Sequence, residues 1–271
     1  MSDFDPKVLQ DLYRPASGSR KGENGKVMII AGSKLFHAAS LWPLTVASRI
    51  VDMVFYSSIE ENNEIVGHLK EEFRNGIIVP RGKIDNYIEE AEAILIGPGL
   101  PRPSGLEEGD DDAKKLTSQL LTKYPHKKWV VDGGSIQTIS PDILPKTAIV
   151  TPHKTEFRTL FGIDATDESV VEMAKKYNIT ILLKGEYDVV ASRDKVVKVS
   201  GGNPGMTKGG TGDVLAGLVV SLYCKNDAFL SACAASYINK KAGERLAQKM
   251  GIYFNASDLA SEIPKVMKEL L

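Results

Sequence analysis

Short apolar runs that each end in glycine, proline or a polar residue recur along this chain and alternate with helical patterns. Two examples are residues 26–31, followed by Gly32, and Ala93–Ile96, followed by Gly97. Continuous apolar runs of this length are typical of parallel strands that are buried on both faces of a sheet. Because alternating strands and helices form βαβ units with right-handed crossovers, the sequence predicts an α/β fold with one doubly wound, mostly parallel sheet.

The other predicted elements continue this alternation. Further strands are predicted at 53–57, 77–80, 129–131, 148–150 and 179–183. Helices are predicted at 6–13, 40–50, 84–90, 110–124, 213–225, 228–250 and 256–271, the last with a cap region at Ser257 and Asp258. Runs 189–191 and 196–199 predict a β-hairpin. Since no internal repeat, low-complexity tract or linker interrupts the pattern, we expect residues 1–271 to form a single domain.

The composition is ordinary for a soluble globular protein of this size. Of the 271 residues 42% are hydrophobic and 25% are charged, and the formal net charge of -1 indicates neither nucleic acid nor an anionic membrane as a partner. No apolar stretch reaches membrane-spanning length, and the acidic N-terminus does not match a signal peptide, so we expect a cytoplasmic protein. Cys224 and Cys233 lie in apolar helical patterns, which indicates core thiols rather than a disulfide or metal ligands.

A glycine-rich stretch, residues 201–213, ends at Asp213 and leads directly into an apolar helical pattern. A glycine loop that enters a helix N-terminus directs unpaired N–H groups at one point, which is favourable for an anion such as phosphate. A carboxylate beside a phosphate suits a reaction that also moves a proton. The alternative is a flexible loop in which Asp213 is an ordinary N-cap.

Several polar residues and glycines follow predicted strands and should therefore meet at one edge of the sheet, where ligands bind in folds of this class. They are Gly32, Gly99, Asp132, His153 and Lys184. A lysine near an anion-binding loop is a natural phosphate partner, although a solvated lysine fits the same pattern. His153 after Thr-Pro also fits a surface helix start, and Asp132-Gly-Gly also fits a simple turn. The acidic run 110–112 indicates a solvated helix start, and no metal site is predicted.

Five segments, in order along nearly the whole chain, match one known family pattern. They are 19–33, Gly-Pro-Gly-Leu at 97–100, Thr-Pro-His-x-x-Glu at 151–156, Leu-Lys-Gly at 183–185, and Asn-Pro-Gly-Met through Gly-Gly-Thr-Gly-Asp at 203–213. Together they resemble the ADP- or ATP-dependent NAD(P)H-hydrate dehydratases, a branch of the ribokinase-like superfamily. The resemblance implies a ribokinase-like three-layer α/β/α fold with a mostly parallel central sheet.

The resemblance also implies a repair reaction. Its substrate would be hydrated NADH or NADPH, whose hydroxyl is phosphorylated by a nucleotide before phosphate is eliminated. The form of the 203–213 loop implies ADP rather than ATP, with Mg²⁺ as cofactor. The family further implies a homotetramer, and an epimerase supplied by a separate protein.

Site residues follow from the same resemblance. Asp213 would be the catalytic base, and the hydrate would contact Ala39, Gly99, His153 and Asp213. The nucleotide would contact Lys184, Gly185, Glu186, Tyr187, Asp188, Asn203, Pro204, Gly205, Met206, Thr207, Lys208, Gly209, Gly210, Thr211 and Gly212. The N–H groups of 209–212 would stabilise charge on the transferred phosphoryl group.

Two loops depart from the family pattern. Where the family has Gly-Ala-Pro, this chain has Ala38-Ala39-Ser40, so only Ala39 matches. Where it has Asp-Ala-Asp-Ala-Leu, the chain keeps Asp132 and loses the second aspartate, and no essential role is assigned to this loop. Two other hypotheses remain: a kinase of a small alcohol in the same superfamily, and a nucleotide-binding protein without catalysis. The Thr-Pro-His-x-x-Glu and Asn-Pro-Gly-Met segments favour the dehydratase.

Overall fold

The computed structural model describes residues 1–69 and 75–271 and contains a ten-stranded sheet. The strands are β1 (Ser2–Asp3), β2 (Lys26–Ile30), β3 (Met53–Ser57), β4 (Ile77–Ile78), β5 (Ala93–Ile96), β6 (Lys128–Val131), β7 (Ala148–Val150), β8 (Thr180–Leu183), β9 (Asp188–Ala191) and β10 (Val196–Val199). The helices are α1 (Ala38–Ala47), α2 (Glu60–Leu69), α3 (Ile84–Glu90), α4 (Ala113–Lys123), α5 (Gly133–Ile136), α6 (Lys154–Phe161), α7 (Asp167–Tyr177), α8 (Thr211–Tyr223), α9 (Ala228–Met250) and α10 (Ala256–Leu270).

The strand order is β1-β10-β9-β8-β7-β6-β5-β2-β3-β4. Along the part of this order from β8 to β4, every pair of neighbouring strands is parallel. In contrast, β9 is antiparallel to both β8 and β10. The predicted mostly parallel sheet and the predicted hairpin are therefore both confirmed. In this order the carboxyl ends of β5, β6, β7 and β8 lie side by side, and we call this the carboxyl edge of the sheet.

Alternate side chains of the central strands pack into the layers on the two sides of the sheet. On β2, Val27 and Ile29 join the core formed with α1, α8, α9 and α10, whereas Met28 and Ile30 join the core formed with α3, α4, α6 and α7. Burial on both faces explains why the strands read as continuous apolar runs. The predicted three-layer arrangement is confirmed. No helix in the described part of the chain is long and apolar enough to span a membrane.

Capping side chains determine where two of the predicted helices begin. Helix α4 begins at Ala113 rather than at 110, because Asp112 is the N-cap and its side chain accepts the Lys115 N–H. Helix α10 begins at the predicted Ala256, but its cap is Asn255, which forms a capping box with Asp258, so Ser257 lies inside the helix. A capping side chain accepts the N–H groups that have no partner within the helix, which makes these starts local properties of the sequence.

Other predicted elements differ in extent. Residues Pro6–Asp11 form a 3₁₀ helix, the strand predicted at 77–80 shortens to β4, and α1 starts two residues before the predicted 40. Helices α2, α5, α6 and α7 go beyond the predicted set. Asp110 and Asp111 lie outside any helix: Asp110 accepts the Lys34 N–H, and Asp111 forms an ion pair with Arg81 at 2.6 Å. Two residues of the acidic run therefore anchor a loop, and only Asp112 lies at the helix start as predicted.

Candidate active site

Two adjoining cavities lie at the carboxyl edge of the sheet. The first has a volume of about 750 Å³ and the second about 820 Å³, and each is of a size that holds a small-molecule ligand. Residues that line both cavities form their shared wall, which is made by Lys184, Gly185, Glu186, Met206, Thr207, Thr211 and Gly212. A group bound at this wall would be reachable from both sides.

The structure divides the predicted site residues between these two cavities. The four residues predicted to contact the hydrate, Ala39, Gly99, His153 and Asp213, all line the second cavity. The predicted nucleotide residues that line the first cavity are Lys184, Gly185, Glu186, Tyr187, Asp188, Asn203, Pro204, Met206, Thr207, Thr211 and Gly212. Lys208, Gly209 and Gly210 line the second cavity instead, and Gly205 is buried against the Phe254 ring.

The glycine loop is shaped by one close approach. Gly210 is the N-cap of α8 with a φ of +91°, and a Cβ at this position would lie 2.3 Å from the Trp42 ring. Only glycine combines this left-handed backbone with that contact. The Thr211 hydroxyl donates hydrogen bonds to the carbonyls of Met206 and Lys208, which closes the loop onto the helix start.

Asp213 is not the cap of this helix. It is the third residue of α8, after Thr211 and Gly212, and the N-cap Gly210 has no side chain. The interpretation of Asp213 as an ordinary N-cap is therefore wrong. Burial, followed by repulsion from the Asp132 and Glu156 carboxylates, raises the pKa of Asp213 from 3.8 to about 8, although Lys184 acts in the opposite direction. A carboxyl with a pKa near neutral pH suits proton transfer.

Lys184 is held at the shared wall by buried carboxylates. Its Nζ donates to Asp132 Oδ1 at 2.9 Å and lies 3.8 Å from Glu156 Oε2. Asp132 is 2% exposed and also accepts a hydrogen bond of 2.6 Å from the Thr151 hydroxyl. Burial alone lowers the pKa of Lys184, but the charges of Asp132 and Glu156 raise it overall, so the ammonium stays charged.

His153 is itself the N-cap of α6, which begins at Lys154. Its Nδ1 accepts the N–H groups of Thr155 and Glu156 at 3.2 Å, and Glu156 Oε2 accepts the His153 N–H at 2.9 Å. Because Nδ1 is an acceptor, the neutral ring carries its proton on Nε2. The half-exposed ring is thus fixed at the second cavity, with its Nε2 3.6 Å from Glu156 Oε1.

Sequence reasoning missed part of the site. Asp132, to which no essential role was assigned, is the main partner of Lys184, and Glu156 supports both Lys184 and His153. The strand-end position of Asp132 and the spacing of Glu156 from His153 were the available signals. Trp42 and the α9 residues Asn239 and Lys240 also line the cavities, and no sequence signal near the motifs points to them.

The carboxylates of the site do not form a metal cage. Among residues 1–69 and 75–271, no group of three or more His, Cys, Asp or Glu side chains is arranged to hold a metal ion. Asp132 and Glu156 are both close to the Lys184 ammonium, which competes with any cation for them.

Comparison with known proteins identifies the family. A family model described as NAD(P)H-hydrate dehydratase matches residues 27–265. The chain belongs to the NAD(P)H-hydrate dehydratase family. The resemblance of the five sequence segments to this family is thereby confirmed.

Curated members of this dehydratase family align with almost all of the chain. A bifunctional NAD(P)H-hydrate repair enzyme of Methanocaldococcus jannaschii is 36% identical over 96% of this chain, which spans 51% of that relative. An ADP-dependent (S)-NAD(P)H-hydrate dehydratase of Cenarchaeum symbiosum is 33% identical over 92% of this chain and 91% of its own length. The chain thus spans about half of the bifunctional relative and most of the stand-alone dehydratase.

A solved structure of the family shares the fold. The ADP/ATP-dependent NAD(P)H-hydrate dehydratase of Bacillus subtilis, co-crystallised with ATP/Mg²⁺, aligns with a TM-score of 0.81 at 21% identity, covering 100% of this chain and 99% of that chain. The predicted ribokinase-like fold is confirmed.

Proposed function

We propose that this chain catalyses the ADP-dependent dehydration of (S)-NAD(P)H-hydrate to NAD(P)H, with release of AMP and phosphate. The observation that carries the proposal is the position of Asp213, a carboxyl with a pKa of about 8 beside the wall shared by two ligand-sized cavities. The nucleotide occupies the first cavity and the hydrated nicotinamide occupies the second, so the phosphoryl group crosses at Lys184 and Gly212. The name of the Cenarchaeum symbiosum relative supports this assignment.

The reaction follows from the groups at the shared wall. Asp213 takes the proton of the substrate hydroxyl, whose oxygen then attacks the terminal phosphorus of ADP, and the bond to AMP breaks. The loop N–H groups and the Lys184 ammonium stabilise the negative charge that spreads over the transferred phosphoryl oxygens. The phosphate then leaves with the electron pair of its C–O bond, and the proton of the adjacent ring carbon passes to the departing phosphate, which restores the double bond.

The residues that the structure describes offer no complete cage for Mg²⁺, so we expect the ion to enter with the nucleotide. Mg²⁺ keeps several waters and binds phosphate oxygens readily, which suits a site whose carboxylates are paired with Lys184. When bound, it would neutralise charge on the phosphates. The co-crystallisation of the Bacillus subtilis protein with ATP/Mg²⁺ supports this expectation.

The substrate-side residues have distinct parts in the proposal. Gly99, with a φ of +64°, lies so close to Ala39 that a Cβ there would be 2.6 Å from the Ala39 side chain. This contact requires glycine at position 99, and we propose that the nicotinamide ring binds against these two small residues of the second cavity. His153 offers its Nε2–H to the carboxamide oxygen, and its orientation is set by Glu156.

The decisive experiment incubates the protein with enzymatically hydrated NADH, ADP and Mg²⁺ and follows the return of the dihydronicotinamide absorbance. We expect recovery with ADP, and a parallel reaction with ATP measures the nucleotide preference. No recovery with either nucleotide, together with phosphorylation of a small alcohol, would establish the kinase instead.

Two variants test the role of Asp213 in this assay. Asp213→Asn should lose turnover while nucleotide binding is largely kept, because the base is lost and the loop remains. Asp194→Asn is the matched control, since the Asp194 side chain is 82% exposed in the β9–β10 turn. Equal loss of binding and turnover in Asp213→Asn would assign Asp213 a structural role.

The family resemblance also leads us to propose a cytoplasmic homotetramer of single-domain chains that relies on a separate epimerase. Light scattering after gel filtration measures the assembly. Turnover of the R-form hydrate only after an epimerase is added would support the second part.

A further inference from the structure

One wall of the first cavity comes from helix α9, outside every segment that carries the family pattern. Asn239 and Lys240 line the cavity, and Ser236 lies on the same helix face one turn earlier. All three residues are at most 5% exposed. Polar side chains buried this deeply need hydrogen-bond partners, because an unpaired one costs about 1–3 kcal/mol.

Two of these three side chains have their partners within the protein. The Ser236 hydroxyl donates to Asp188 Oδ2 at 2.7 Å, and Lys240 Nζ lies 3.2 Å from Asp188 Oδ1. Lys240 also donates to the carbonyls of Gly185 and Glu186 at 3.3 and 3.2 Å. They therefore fix the loop that follows β8 and leave no donor for a ligand.

Asn239 differs from its neighbours. Its Oδ1 is buried and has no hydrogen-bond partner among the described residues. The same is true of Nδ2 of Asn203, whose Oδ1 accepts the Gly205 N–H and so sets the direction of the amide. Both asparagines line the first cavity. An unpaired acceptor and an unpaired donor thus belong to residues that line the same cavity.

The position of the two amides indicates which part of a nucleotide they meet. Asn203 and Asn239 line only the first cavity, whereas Lys184 and Gly212 belong to the wall that it shares with the second. If the phosphates lie at the shared wall, the base lies at the end of the cavity away from it. Adenine presents an amino donor beside a ring-nitrogen acceptor, the pattern that asparagine side chains bind in other nucleotide complexes.

We propose that Asn239, assisted by Asn203, recognises the adenine base of ADP and makes the site selective for adenine over guanine nucleotides. Guanine carries a carbonyl acceptor where adenine has its amino donor, so it leaves the Asn239 oxygen unpaired. This inference rests on the proposed function only in taking the first cavity as the nucleotide site.

The test is calorimetric titration of the full chain with ADP, GDP and 2′-deoxyADP, without hydrated NADH. We expect the wild type to prefer ADP over GDP by about tenfold, the value of one good hydrogen bond. Asn239→Leu should lose that preference by weakening ADP alone. Asn203→Asp, which keeps the Gly205 contact, should also weaken ADP selectively. Thermal melting verifies that each variant is folded.

Lys198→Met is the matched control, because Lys198 lines the same cavity and packs over the Tyr187 ring. It should weaken ADP and GDP by the same factor. A wild type without base preference, or an Asn239→Leu variant that loses ADP and GDP equally, would overturn the proposal. The proposal would also be overturned if wild type bound 2′-deoxyADP more weakly than ADP and Asn239→Leu bound the two equally. Asn239 would then bind the ribose. If the protein selects ADP over GDP but does not dehydrate hydrated NADH, the proposed reaction is refuted and the proposal on base recognition is not.

Discussion

Replacing Asp213 with asparagine should make the folded protein more stable near neutral pH, although it removes the proposed base. Burial and the Asp132 and Glu156 carboxylates raise the folded-state pKa of Asp213 to about 8, against 3.8 for an unperturbed aspartate. A carboxyl whose pKa is raised by folding contributes stability that is complete below the unfolded pKa and is lost as the pH rises through the folded pKa. At pH 7 the ionisation of Asp213 therefore lowers the free energy of unfolding of the wild type, and asparagine avoids this loss.

The size of this cost follows from the two pKa values. Each pH unit between them costs about 1.4 kcal/mol, and pH 7 lies about three units above the unfolded pKa, which sets an upper limit of about 4 kcal/mol. Asp213 is only partly buried, and water at the cavity screens the repulsion. We therefore expect Asp213→Asn to raise the free energy of unfolding by about 2 kcal/mol at pH 7.

Urea unfolding of wild type, Asp213→Asn and Asp194→Asn at several pH values measures this gain. The advantage of Asp213→Asn should be small near pH 4, grow as the pH rises, and level off above the folded pKa of about 8. The exposed control Asp194→Asn should follow wild type throughout. A difference between Asp213→Asn and wild type that is independent of pH, or a destabilised Asp213→Asn, would refute the electrostatic reasoning.

Three further predictions concern the same site. The kcat/KM for dehydration should rise with pH toward the Asp213 pKa of about 8, because only the ionised carboxyl accepts a proton. The Asp132→Asn variant should show the same rise at lower pH, because it removes a charge that repels the Asp213 carboxylate. Gly210→Ala should destabilise the protein by about 1–3 kcal/mol in urea, because its Cβ collides with Trp42, whereas Gly18→Ala, with no atom near its Cβ, should have little effect. Lys184→Met should lower the free energy of unfolding by about 3–5 kcal/mol, because it leaves the buried Asp132 carboxylate without its partner. The double variant with Asp132→Asn should recover much of that loss in the same urea measurement.

The elements that could be predicted are those whose signal is local. Helix α9 begins and ends at the predicted residues 228 and 250, because Asp227 caps its start and Gly251 follows its end. The central strands are equally clear, since each is an apolar run closed by a glycine or a polar residue. Helix α2 was missed because Glu60–Leu69 is mostly polar and carries a weak apolar pattern.

The site shows the same division between local and distant determinants. The Gly-rich loop and the strand ends predicted where Asp213, His153 and Lys184 would meet, since parallel strands share one carboxyl edge. The sequence could not predict that Asp132 is the main partner of Lys184, because the two residues are 52 positions apart and either also fits a solvated turn.

By itself, the sequence determined the α/β layering, the glycine loop and the family, because periodicity, turn chemistry and motif spacing are properties of neighbouring residues. Only the tertiary structure decided that Asp213 is a partly buried acid rather than a helix cap, since its pKa depends on carboxylates from β6 and α6. It also decided that Trp42 requires glycine at 210 and that the Asn239 amide remains unpaired. Burial, close packing and long-range charge arise only when distant segments come together.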